Sequence, residues 1–195
     1  HQQNITVSVG GTVFASAAWI NAMEVSGMAY VVDTSMGYVT NIGTLIMVRG
    51  GMKLPDQPYT AATLRNEGVA FLDRIVVRNA FGHDNFDTYE GGLKNYDGGV
   101  LTLSGASMAG NYGCYCGLYC GCGGDIFNEA GGVLNVFGSV LDDPCSGTPI
   151  TDLGYNVFGR ESGCQATEST SIEAEPLINE ASYELSPGSP AIDRI

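Results

Sequence analysis

Three segments of the chain repeat one pattern. Leu64-Arg65-Asn66-Glu67-Gly68-Val69, Leu93-Lys94-Asn95-Tyr96-Asp97-Gly98-Gly99-Val100-Leu101 and Ile126-Phe127-Asn128-Glu129-Ala130-Gly131-Gly132-Val133-Leu134 each run from an aliphatic residue through Asn to Gly and into an apolar stretch. The asparagines are 29 and 33 positions apart, and a weaker copy around Asn41 and Gly43 lies 25 positions before Asn66. A unit that recurs at such spacings with inserts of varying length cannot close its own core. It must bury that core against neighbouring copies, which is the logic of a stacked, solenoidal fold.

Within each unit the residues after the glycine alternate. Leu101 and Leu103 interleave with Val100, Thr102 and Ser104, and Leu134 and Val136 interleave with Val133 and Asn135. Period two is the signature of a strand with one buried face. Hairpin sheets place Asn-Gly or Asp-Gly between closely spaced strands, and Asp97-Gly98 is the only such dipeptide here. The expectation is therefore an all-β fold, a single-stranded right-handed parallel β-helix of six to eight coils with loop insertions and an irregular C-terminal cap. Asn66, Asn95 and Asn128 occupy equivalent corners, where their amides can stack into a hydrogen-bonded ladder that satisfies turn backbone groups. Helical signals are poor; the best stretch, Ala15 to Met28, lacks a clear cap and reads as a covering helix or as more strand. One domain spans 1–195, with an N-terminal strand and cap region over 1–40, coils over 41–143 and a C-terminal coil and cap over 144–195.

The formal net charge of −13, with only eight Lys and Arg, argues against nucleic acid and anionic membrane as partners, since phosphate binding needs clustered cations. No stretch is apolar and long enough to span a bilayer. The opening His1-Gln2-Gln3 reads as an already processed terminus or as an artificial edge of the sequence. Six cysteines are present, four of them in the run Gly113 to Gly123. Metal knuckles normally use C-x-x-C, whereas Cys114, Cys116, Cys120 and Cys122 form two C-x-C pairs, so disulfides in a projecting loop are expected. A bond within C-x-C is tight, so Cys114 or Cys116 is expected to join Cys120 or Cys122. Disulfides imply an oxidising compartment and hence a secreted or extracellular location. The sequon Asn4-Ile5-Thr6 points the same way and marks Asn4 as a glycosylation candidate.

The tail Leu185-Ser186-Pro187-Gly188-Ser189-Pro190-Ala191-Ile192-Asp193, with Gly-Gly-Asp-Ile-Phe-Asn over Gly123 to Asn128 and Gly-Gly-Val-Leu over Gly131 to Leu134, resembles the pectin-lyase-like β-helix family of polymorphic outer-membrane and choice-of-anchor surface proteins. The likeness covers about residues 90 to 193. It implies coils built from the G-G-x-I-x-N unit and a terminal segment that closes the C-terminal end. The stretch from Cys145 through Gly154-Tyr155-Asn156 to Cys164 resembles that family's penultimate segment, which implies a Cys145–Cys164 disulfide. The resemblance says little about activity.

Pectin-degrading proteins of this fold use clustered carboxylates or a Ca²⁺ site. Asp84, Asp87 and Glu90 have a spacing compatible with Ca²⁺ ligation, and Asp142-Asp143 is a second acidic pair, whose plainer reading is a turn before Pro144. With Arg74, Arg78 and Arg160 the only arginines at plausible strand or turn positions, no catalytic signature stands out. The chain is read as non-enzymatic, with no cofactor beyond a possible Ca²⁺. A copper site of His1 and His83 belongs to a different fold class, and Thr40, Thr44, Thr63 and Thr102 form no regular ice-binding file. Tyr89, Tyr96, Tyr112, Tyr115 and Tyr119 cluster in and beside the later loops as a candidate contact patch for sugar rings or protein. The leading expectation is an extracellular structural or surface protein that forms a homo-oligomer or filament by strand addition or coil stacking; the alternative is a polysaccharide-binding or polysaccharide-cleaving domain.

Overall fold

A computed structural model describes residues 3–16, 19–53, 63–78, 81–82, 92–115, 121–143, 145–160, 163–179 and 184–192. All regular structure among them is strand. The chain climbs through β1 (Gln3–Val7), β2 (Thr12–Ser16) and β3 (Trp19–Val25), then β4 (Met28–Asn41), which by itself lines all three walls of one turn. The next turns are β5 (Thr44–Lys53) with β6 (Leu64–Asn66), and β7 (Val69–Arg78) with β8 (Phe81–Gly82) and β9 (Leu93–Asn95). Then come β10 (Val100–Ser104), β11 (Ser107–Ala109), β12 (Tyr112–Tyr115), β13 (Gly121–Gly123) and β14 (Ile126–Asn128). The stack ends with β15 (Val133–Phe137), β16 (Val140–Leu141) and β17 (Cys145–Gly147), β18 (Thr151–Asp152) and β19 (Val157–Phe158), and finally β20 (Ile172–Glu173).

Every pairing in the main sheet is parallel and joins equivalent residues of successive turns, so the protein is a parallel β-helix with three walls. The first wall stacks β2, the start of β4, β5, β7, β10, β15 and β18. The second runs from β3 through the middle of β4 and the ends of β5 and β7 to β11, β16, β19 and β20. The third carries β1 and the end of β3, then the end of β4, β6, β9, β14 and β17.

Stacking in register turns the core into files of like residues. Ala29, Leu45, Ala70, Leu101 and Leu134 form one file inside the first wall, and Ile20, Met36, Met52, Val77, Met108, Leu141 and Phe158 one inside the second. All are buried. Ala15–Met28, the best helical stretch by sequence, is strand through most of its length: period-two burial against a neighbouring rung outweighs its small-residue composition.

The first complete turns are only 16 residues long: Val13, Ala29 and Leu45 pair directly. Regular coils therefore begin at Thr12, well inside the region expected to be a cap. Gly11, Gly27, Gly43 and Gly68 stand at one corner, and a Cβ on Gly43 would lie 2.2 Å from the Gly27 carbonyl oxygen. Only glycine permits coils to approach so closely there. The longer turns grow at one place. The chain leaves the second wall after Lys53, Arg78 and Ala109 and rejoins the third at Leu64, Leu93 and Ile126, so the added length enters at the same corner of each turn.

The C-terminal segment folds back over the second wall. Val140 and Val157 point outward yet are buried, because Ile172, Ile178, Leu185 and Ala191 cover them in a second small core. This is the work of the Leu-Ser-Pro-Gly-Ser-Pro-Ala-Ile segment. The Ser189 hydroxyl donates to the Pro176 carbonyl and accepts from the Ala191 amide, pinning the turn.

Candidate functional site: an apolar sheet face and an acidic neck

The third-wall corner carries the asparagines. Asn41 Nδ2 donates to Asn66 Oδ1 at 2.7 Å, Asn66 to Asn95 at 2.8 Å and Asn95 to Asn128 at 2.8 Å. Asn128 Nδ2 ends the file on the Thr148 hydroxyl at 2.7 Å. Each amide also bonds backbone carbonyls of its own turn or the next, as Asn95 does with Gly99 and Val133. All four asparagines are buried, with their hydrogen-bonding capacity spent on holding the corner.

The Cys145–Cys164 disulfide is present. Cys145 continues the inward file of Leu64, Leu93 and Ile126, so the bond ties the C-terminal cap to the main core. Asp152 organises that cap by accepting from the Gly154, Thr167 and Glu168 amides, from Asn156 Nδ2 and from the Ser171 hydroxyl, all at 2.6–2.9 Å. Burial would raise its pKa, but these donors outweigh burial and hold it below the usual carboxylate range.

A second polar group closes the neck of the 110–125 insertion. Asn111 Nδ2 donates to Asp125 Oδ1 at 2.7 Å and to the Val77 carbonyl, while the Asn111 amide donates to Asp143 Oδ2 at 2.7 Å. The Asp143 amide donates back to Asp125 Oδ2 at 3.0 Å. Burial, reinforced by the Asp143 charge, pushes the Asp125 carboxyl well above its ordinary value. Asp142 is pushed to about 6, first by burial and then by Glu175 and Asp143. The Asp125 and Asp143 carboxyls are committed to tying the two ends of the insertion to each other and to the following turn; Asp143 and its neighbour Asp142 were singled out in the sequence. Asn111 and Asp125 escaped sequence reading because nothing in their local pattern distinguishes them.

Of the other sequence candidates, Asp84, Asp87, Glu90, Tyr89, Tyr119, Cys116, Cys120, His1 and His83 lie outside the described residues. Among the described residues, no three metal-capable side chains converge. Tyr96 is half-buried beneath the Lys94 ammonium, which sits 4.3 Å from its ring centre and 3.3 Å from Glu129, so this member of the tyrosine set packs locally. Tyr112 and Tyr115 lie on β12, within the 110–125 insertion. Asn4 is exposed on β1 and accepts from Asn21 Nδ2, leaving the sequon on the surface.

The largest unsatisfied feature is the outer side of the first wall. Its outward rows read Thr12, Met28, Thr44, Val69, Val100, Val133; Phe14, Tyr30, Ile46, Phe71, Thr102, Asn135; and Ser16, Val32, Val48, Asp73, Ser104, Phe137. One residue in eighteen is charged, and that one, Asp73, is neutralised by Arg74 at 2.8 Å. Phe14 is 77% exposed and Val69 50%, with Met28, Val133 and Phe137 each above 40%. Phe14 packs on Tyr30, and Phe137 on Tyr155, with ring centres 5.9 Å apart in both pairs. The alternation in the sequence separates the two faces of this wall but does not reveal that the outward one is apolar too, because alternation normally puts polar groups there.

No family model, no curated protein and no solved structure matches this chain.

Proposed function

We propose that this protein is an extracellular, non-enzymatic structural component that associates with copies of itself through the apolar first wall. The observation that carries this reading is an outer face whose single charged residue, Asp73, is paired with Arg74, on a chain of net charge −13. Such a chain repels its copies everywhere else and can approach them only where charge is missing. From β2 to β15, six rungs about 4.8 Å apart and strands of five residues at about 3.3 Å give a face of roughly 24 by 16 Å, about 400 Å². That matches the largest apolar patches of monomeric proteins, which are often functional. It is about half the per-partner area of a standard interface, so association is weak and concentration-dependent. Two such faces stack as sheets do, side chain between side chain. The Cys145–Cys164 bond supports the extracellular placement, and a parallel β-helix is the architecture implied by the likeness to surface-displayed pectin-lyase-like proteins.

Analytical ultracentrifugation over a wide concentration range tests this. The average mass is expected to rise with concentration, and Phe71→Glu with Ile46→Lys to abolish the rise while leaving the circular dichroism unchanged. A wild-type chain that stays monomeric at millimolar concentration overturns the reading.

Polysaccharide binding is a second reading, favoured by the row Phe14, Tyr30 and Phe71 on one line of the same face. The paired rings tilt against each other, by 58° for Phe14 and Tyr30, instead of lying flat for sugar stacking, which favours protein as the occupant. Retention on insoluble neutral glycans, lost in the same double variant, would reverse that preference.

A further inference from the structure

The outer face of the first wall changes height from one end to the other. Along its middle row the first four rungs carry Phe14, Tyr30, Ile46 and Phe71, and the next two carry Thr102 and Asn135, whose short side chains lie 3.4 Å apart. The row is raised over β2 and β4 and lowered over β10 and β15. Phe14 stands 77% exposed at the raised end. The lowered end falls further at its border, where Gly105 and Gly138 present no side chain and leave a hollow of about 380 Å³ between Arg74 and Tyr155. The row nearest that border runs the other way, from Ser16 on β2 to Phe137 on β15.

We infer that two copies pack these faces together about a two-fold axis running along the strands, with their solenoid axes antiparallel, and that association stops at this dimer. The inference rests on the apolar wall being the contact surface, and it fixes how that surface is used. An axis passing between β5 and β7 sets each rung over its counterpart from the opposite end. Phe14 then meets Asn135 of the second copy, Tyr30 meets Thr102, Ile46 meets Phe71 and Ser16 meets Phe137. Large side chains fall on small ones, as close packing of two sheets about 10 Å apart requires. Stacking like ends together would instead set Phe14 on Phe14 and Asn135 on Asn135, propping the sheets apart at one end and leaving a gap at the other. Along the border with the second wall, Asp33 with Arg49 and Asp73 with Arg74 are paired at 2.8 Å and sum to zero. Glu67 and Asp97 near the opposite border are exposed, where salt screens them. Because each copy offers the same surface, the contact is isologous and closes on itself, so no filament grows from it.

Sedimentation equilibrium of the wild-type chain, Phe14→Lys, Asn135→Glu and the double variant, at about 0.15 M salt, tests this. The wild-type mass is expected to level off at twice that of one chain. Each single variant is expected to dimerise about tenfold more weakly. In the double variant the introduced ammonium faces the introduced carboxylate twice across the axis. It is therefore expected to dimerise at least about fivefold more tightly than the two single effects combined would give. A double variant weaker than either single one means that like ends meet, and one without coupling means that the two positions do not face each other. Both results overturn this arrangement while leaving the apolar wall as the contact, and so does a wild-type mass that climbs past the dimer. A wild-type chain that stays monomeric throughout overturns the contact surface itself, and this arrangement with it.

Discussion

Replacing Asn95 by Ala measures what the asparagine file contributes. Asn95 accepts from Asn66 and donates to Asn128, Gly99 and Val133, but its amide has two N–H groups for three acceptors, so it counts as three hydrogen bonds. At about 1 kcal/mol net for each, the loss is about 3 kcal/mol. Asn128 Oδ1 then stays buried without its donor, which adds about 1–2 kcal/mol. A total of about 4–5 kcal/mol is a large share of the roughly 5–15 kcal/mol that holds a typical domain together. Urea unfolding under non-reducing conditions reads it directly. Asn135→Ala is the control, an amide on the outer side of the wall with one long contact of 3.4 Å to Thr102, and is expected to cost about 0.5 kcal/mol or less. If Asn95→Ala costs no more than Asn135→Ala, the file is an accident of stacking and the account of the corner fails.

Two further outcomes follow from other corners. Gly43→Ala is expected to cost at least about 3 kcal/mol or prevent folding, because the added Cβ meets backbone at 2.2 Å; Gly10→Ala meets nothing within 4 Å and is expected to lose only about 1–2 kcal/mol, from its φ of 76°. Thermal melts of the two variants separate steric from conformational cost. For pH, Asp142 has a folded pKa of about 6 against an ordinary 3.8, so the folded state binds its proton more tightly. Stability should therefore rise as pH falls from above 6 toward 4, by about 1 kcal/mol once solvent screening of this half-exposed group is allowed for. Asp152, held low, acts oppositely and loses its contribution only as pH falls below its ordinary range. Asp142→Asn should reduce the pH slope of the urea midpoint between pH 5 and 7 without removing it, because the buried Asp125 and Asp143 carboxyls are raised as well, and an unchanged slope would refute the assignment.

The inner architecture was legible because its signals are local and repeated. Asn41, Asn66, Asn95 and Asn128 recur before a corner glycine, and the alternation after each glycine marks which residues face in. The 16-residue early turns were harder to see, since Val25 stands where later turns carry Asn; the remaining signal was the even spacing of Gly11, Gly27 and Gly43. The polar neck was not legible at all. Asn111, Asp125 and Asp143 are separated by 14 and 18 positions and meet only because the insertion returns to the edge it left.

What the amino-acid order alone determined is the winding: a residue that must bond its counterpart one turn away imposes the same conformation on every turn. The tertiary structure decided what each wall meets on its outer side. The C-terminal segment covers Val140 and Val157 on the second wall, while Phe14, Met28, Val69 and Phe71 on the first face solvent. Periodicity separates inside from outside within one strand, but whether an outward residue is covered depends on a distant segment whose path no local pattern encodes.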